Sequence, residues 1–152
     1  MRCNVGVNPF YLTDQHLIAE YSEIPMIIGS LRYWNWEIRS TIPEYFKLGS
    51  GHMNFLKCKL SYLRKRHQQV KLEMKDRGFD SSLLTIDLTD IHNHFKGEYL
   101  PTIDATNLIR NRIKERLLAK PEFFWRYKRK KLNSTELNNI INMMMRSEVY
   151  YV

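Results

Sequence analysis

The stretch Thr13-Asp14-Gln15-His16-Leu17-Ile18-Ala19-Glu20-Tyr21-Ser22-Glu23-Ile24-Pro25 decides how this chain is built. Leu17, Tyr21, Ile24 and Ile28 recur at three- and four-residue steps, which predicts an amphipathic helix. Thr13 is a good N-cap, and Asp14 suits the first turn of the helix dipole. Pro25 kinks such a helix without having to end it. Gly29-Ser30 is the expected stop. His16, Glu20 and Glu23 stand four and three residues apart and so share one face. Three readings of that face are open: a polar outer surface, a metal site needing ligands from elsewhere, or a catalytic acid near a nucleophile.

Moving outward, 152 residues fit one domain able to bury a core without disulfides or metals. No apolar run is long enough to span a bilayer, and the amino terminus lacks the layout of a signal peptide. Cys3 and Cys58 have neither metal-site nor redox-motif spacing, so they read as free thiols in a reducing cytoplasm. A net charge of +8 favours polyanionic partners.

Residues 32 to 47 read as irregular and aromatic-rich, with Tyr33, Trp34, Trp36, Tyr45 and Phe46 covering core or stacking on bases. A second helix is expected from Ser50 or Gly51 to Arg77, stopped by Gly78. Its apolar stripe is Leu56, Leu60, Leu63, Val70 and Met74, with His67 as a satisfied core or boundary residue. Its solvated side is assigned Lys57, Lys59, Arg64, Lys65, Arg66, Lys71 and Lys75. The span from Phe79 to Pro101 reads as loop, and His92 and His94 lack partners at zinc spacing. A third helix is expected over Asp104 to Ala119, with Ile109, Ile113 and Leu117 inward and Arg112 and Arg116 on one face. A last helix opens at Asn133-Ser134-Thr135-Glu136. Its Leu137, Ile140, Ile141 and Met144 make a docked tail or a self-association surface. The fold class expected is all-α: about three main helices in residues 1–132, plus an added helix in 133–152.

From Arg110 to Lys131 there are ten basic and two acidic residues, interleaved with Phe123, Phe124, Trp125 and Tyr127. Cations for phosphates and rings for bases fit a nucleic acid, with Trp125, Arg126 and Lys128 as contacts. A basic surface tail would read similarly. At the other end, a terminal α-amine titrates near ~8, against ~10.4 for Lys, so far more of it is free base at neutral pH. Such an amine is a Schiff-base nucleophile that needs no burial. A neighbouring carboxylate can stabilise positive charge on a sugar and then move protons.

At these residues the chain resembles the pyrimidine-dimer DNA glycosylase family, of the bacteriophage endonuclease V type. The likeness runs through Asp14 to Tyr21 with Glu23 and Pro25, through Leu48-Gly49-Ser50-Gly51-His52, Lys59-Leu60, Leu63-Arg64-Lys65-Arg66 and Arg77-Gly78-Phe79, then Phe95-Lys96-Gly97-Glu98-Tyr99-Leu100-Pro101 and Pro121. It covers about residues 1 to 130. The resemblance implies a mostly helical domain with the N-terminal segment threaded into the core. It implies a bifunctional glycosylase and AP lyase whose terminal amine attacks sugar C1′, followed by β-elimination, on pyrimidine dimers or abasic sites. It casts Met1 as nucleophile, Glu23 as catalytic acid, Arg2, Gln15, His16, Arg112 and Arg116 as DNA contacts, and Glu20 and His52 as supporting residues. Double-stranded damaged DNA is the implied partner, with no cofactor, metal or membrane and a monomeric state. Two positions where the family carries arginine are Ser22 and Met26, and Met1-Arg2 replaces its small terminal residue. These departures leave open an altered member that binds damaged DNA without cutting it.

Overall fold

The computed structural model describes residues 3–38 and 40–152, and helices make almost all of its regular structure. The order is a 3-10 turn at Pro9–Tyr11, α1 (Asp14–Tyr33), α2 (Ser50–Leu56), α3 (Leu60–Asp76), a second 3-10 turn at Asn93–Phe95, α4 (Ile103–Leu118), a two-stranded hairpin β1 (Arg126–Tyr127) and β2 (Lys130–Lys131), and α5 (Ser134–Arg146). The described residues thus have the all-α architecture expected, and no helix is long and apolar enough to cross a membrane.

α1 packs along α3 as the central pair. Leu17, Ile24, Ile27 and Leu31 of α1 meet Leu60, Leu63 and Val70 of α3, all buried. Each such side chain removed from water is worth roughly 1.5–3 kcal/mol. Pro25 lies inside α1. A proline has no N–H for the carbonyl four residues back, which here belongs to Tyr21. His67 fills that vacancy: its Nε2–H donates to the Tyr21 carbonyl at 2.9 Å, and its ring stacks on the Tyr21 ring at 5.1 Å. Burial pushes the His67 pKa down, which suits a neutral ring in that position. His67 is therefore the satisfied core histidine expected, and Pro25 supplies the reason.

Three expectations about the helices fail. Gly29-Ser30 does not stop α1, which runs on to Tyr33 because Leu31 beyond it is buried. Asn35 and Trp36, both at positive φ, turn the chain instead, and the Trp36 N–H donates to the Leu31 carbonyl at 2.7 Å. The helix expected from Ser50 to Arg77 is broken at Lys57-Cys58-Lys59. A distant segment causes the break: Gly97 N–H donates to the Cys58 carbonyl at 3.0 Å, and the Gly97 carbonyl accepts from Tyr62 N–H at 3.3 Å. Only glycine fits there, since a Cβ on Gly97 would lie 2.2 Å from the Cys58 oxygen. Finally, Arg66 is not on the solvated side of α3 but fully buried.

The other ends follow their local chemistry. Gly78, at φ +81°, closes α3, with Phe79 N–H donating to the Met74 carbonyl. The Thr102 hydroxyl caps α4 through Ala105 N–H, and the Asn133 side chain caps α5 through Glu136 N–H. α5 docks through Leu137, Ile141 and Met144 against α4 and the Pro9–Tyr11 turn.

Candidate active site

α1 carries a carboxylate at each of three levels. Asp14 is at its start, Glu20 in its middle and Glu23 one turn further. Glu20 points into the core, where Arg66 grips it with Nε and Nη2 at 2.8 and 2.9 Å. The same carboxylate accepts the Asn4 backbone N–H at 2.9 Å and Asn4 Nδ2 at 2.7 Å. Arg66 Nη1 donates to the Val7 carbonyl at 2.6 Å. Burial alone would raise the Glu20 pKa, but the Arg66 charge and the hydrogen bonds from Arg66 and Asn4 outweigh it and hold the carboxyl below its ordinary range. An ionised acid with both oxygens filled thus clips the segment from Cys3 to Val7 inside the protein. A polar outer face for His16, Glu20 and Glu23 is excluded, since His16 and Glu20 are buried. No cluster of three metal-ligating side chains occurs among the described residues.

His52 is set beside this segment by the Leu48-Gly49-Ser50-Gly51 turn. Gly49 takes φ +75°, ψ −144°, a conformation open in practice only to glycine, and starts α2 from there. His52 Nε2 accepts the Cys3 N–H at 3.2 Å, which puts the proton of the neutral ring on Nδ1. His52 also packs edge-on against Phe46 at 5.3 Å.

A cavity of ≈ 430 Å³ opens on this spot, lined by Glu23, His52, Arg112 and Arg116 with Leu48, Gly49, Ser50 and Met53. Four residues singled out in the sequence, from α1, α2 and α4, thus meet in one depression. A second cavity shares Arg116 and is lined also by Gln15, His16, Lys120, Phe124 and Trp125. A third shares Gln15 and Phe124 and adds Asp14, Phe79, Arg126 and Arg129. Neighbouring cavities thus share lining residues, and Arg112, Arg116, Lys120, Arg126 and Arg129 are the basic residues that border the three. Lys120 and Arg129 were missed among the expected contacts, although the basic run from Arg110 to Lys131 contains both.

Several expected contacts have mainly internal partners. Gln15 clamps the hairpin approach: its Nε2 donates to the Phe124 carbonyl at 2.7 Å and its Oε1 accepts Arg126 N–H at 3.0 Å. The His16 ring stacks on Trp125 at 4.8 Å, and its Nδ1 pairs with the Thr13 hydroxyl at 2.8 Å. Thr13 accordingly makes no side-chain cap to α1. Burial, then the Arg116 charge, lowers the His16 pKa to about 4. Trp125 is 8% exposed and spends its indole N–H on the Leu117 carbonyl, so Phe123 and Phe124 are the aromatics this segment presents to solvent. Lys128 lies over the Phe10 ring at 5.0 Å and borders none of the three cavities. Met1 and Arg2 lie outside the described residues.

The basic hairpin is held by Asp14. Lys128 (φ 48°) and Arg129 (φ 70°) occupy a two-residue turn whose left-handed conformation costs non-glycine residues of order 1–2 kcal/mol each. Asp14 offsets this by accepting both turn N–H groups, at 3.1 and 2.7 Å. Arg77 completes the anchor with 2.9 Å to Asp14 and bonds to the carbonyls of Pro9, Phe10 and Leu12.

Fold and site together define a small helical protein with an acid-bearing cavity on a face bordered by arginines. Comparison with protein-family models matches residues 2–87 to the family described as pyrimidine dimer DNA glycosylase, so the chain belongs to that family. It is a DNA-repair enzyme of the glycosylase class, with DNA as substrate. The matched stretch holds Glu20, Glu23, His52 and Arg66. Arg112, Arg116 and the hairpin lie beyond it.

Proposed function

We propose that this enzyme removes the damaged base and cuts the strand at the Glu23 cavity, using its terminal α-amine. The amine lone pair bonds to sugar C1′ as the C1′–N bond to the base breaks; the base nitrogen takes up a proton, and in a dimer the freed base stays bonded to its neighbour. Ring opening yields an imine. Loss of a C2′ proton then expels the 3′ phosphate by β-elimination, and water releases the enzyme. Glu23 opposes the positive charge that develops on the sugar and carries the protons. Arg112 and Arg116 hold flanking phosphates.

The observation that carries this reading is the Cys3 N–H bond to His52, a residue that lines the same cavity as Glu23. Residue 1 stands two positions before Cys3 in the sequence, which supports the reading that its amine serves this cavity. Pyrimidine dimers and abasic sites are the proposed lesions.

Borohydride added during reaction with abasic or ultraviolet-irradiated duplex should trap a covalent adduct that maps to residue 1. Intact mass should show Met1 retained with a free amine. Glu23→Gln should still bind duplex while trapping falls by roughly 10²–10⁴-fold. A pure enzyme giving no adduct on either substrate would sink the reading. Exposed Met26 and partly buried Ser22, where the family has arginines, favour a second reading, salt-dependent binding without cleavage. The same trapping experiment separates the two.

A further inference from the structure

We propose that residues 147–150 form a strap that positions the N-terminal segment, and with it the attacking amine, for imine formation; this rests on the reading above. Gly6 is the point of contact. Its carbonyl accepts the Tyr150 backbone N–H at 2.8 Å. Its φ is +72°, and a Cβ there would lie 1.9 Å from Thr106 Oγ1, so the segment is pressed against α4 with no side chain between. The strap is itself anchored. Arg110, 2% exposed, donates through Nη2 to the carbonyls of Ser147 and Glu148, the latter at 3.1 Å. The Tyr150 hydroxyl donates to Gln69 Oε1 on α3 at 3.0 Å.

Two residues before Gly6, Asn4 is clipped by Glu20, and one residue before that, Cys3 is bonded to His52. The segment is therefore fixed on its cavity side by Glu20 and His52 and on its far side by Tyr150 and Thr106. The cavity-side anchors lie in the stretch matched to the family, whereas the strap lies outside it. Attack on C1′ needs the nitrogen within about 3–3.5 Å of the carbon, and a shift of 1 Å costs on the order of 10²-fold in rate. An anchor at Gly6 acts on that distance without touching DNA. Arg110 and Tyr150 are thus positioning residues.

The test compares single-turnover imine trapping at saturating abasic duplex with duplex affinity measured without borohydride. Glu148→Gln, at an exposed strap side chain, keeps the Tyr150 backbone N–H and should trap within about twofold of the parent rate. Tyr150→Pro removes that donor and Arg110→Gln releases the strap. Both should trap about tenfold or more slowly, with affinity within about twofold. Rates are taken per folded molecule, with the folded fraction read by circular dichroism. Parent-like trapping in both Tyr150→Pro and Arg110→Gln would overturn the proposal. If the proline variant does not fold, Arg110→Gln decides alone. A parent enzyme that traps nothing would overturn the amine reading and the strap with it, which is a different result from a trapping parent with indifferent variants.

Discussion

Glu20–Arg66 and Asp14–Arg77 each join a carboxylate of α1 to an arginine on α3 or at its end, yet they do different work. Glu20–Arg66 is fully buried and binds the N-terminal segment that runs through the core. Asp14–Arg77 lies at the rim, binds the turn of a cationic hairpin, and ties Pro9 to Leu12 to the end of α3. One clip secures the segment beside the Glu23 cavity and the other secures the turn of the basic hairpin. A buried carboxylate–guanidinium pair is a versatile clamp for backbone. What it clamps depends on which segment passes by, not on the pair.

The largest expected effect comes from breaking the inner clip. Arg66→Met leaves an ionised Glu20 without its cation and should cost about 3–5 kcal/mol in denaturant unfolding. A loss under about 1 kcal/mol would show that the pair does not hold the N-terminal segment.

His16, between the two clips, gives the next effect. Its pKa is about 4 in the fold against an ordinary 6.5, so the unfolded chain binds the proton first. Stability from this group is complete above pH 6.5 and is lost as pH falls toward 4. The loss should be on the order of 3 kcal/mol at most, read from chemical unfolding across that window. His16→Asn should flatten the slope. Glu20, held low, adds its own loss only at more acid pH, as its carboxyl takes up a proton.

Asp14→Asn probes the outer clip. It should cost about 1–3 kcal/mol and speed amide exchange at Lys128 and Arg129, while the Asn4 amide stays protected. Equal deprotection at both places would merge the two clips into one unit. The smallest effect belongs to a single cation beside the cavities. Arg129→Ala should leave stability unchanged and reduce the slope of log affinity against log salt by about 0.9. An unaltered slope would remove Arg129 from the DNA-facing edge.

Much of the helical frame was legible in advance, because it rests on local rules. The stripe Leu17, Tyr21, Ile24 and Ile28 is buried as its spacing required, as are Ile109, Ile113 and Leu117. Gly78 and Asn133 ended and began helices by backbone and capping chemistry that involves only near neighbours. Two of the misreadings share one cause. Arg66 looked like a member of a solvated run because its partner is 46 residues away. The break at Cys58 is imposed by Gly97, which is also far along the chain.

By itself the sequence determined the helices, their apolar faces and, through motifs in register, the family to which the chain belongs. Only the tertiary structure decided which charges are buried as clips and which border the cavities, since a charge leaves water only where a distant partner replaces its solvation. It also decided that a carbonyl freed by Pro25 would be met by His67 and that the far end of the chain would fasten Gly6. Both contacts join residues dozens of positions apart, and no local pattern encodes them.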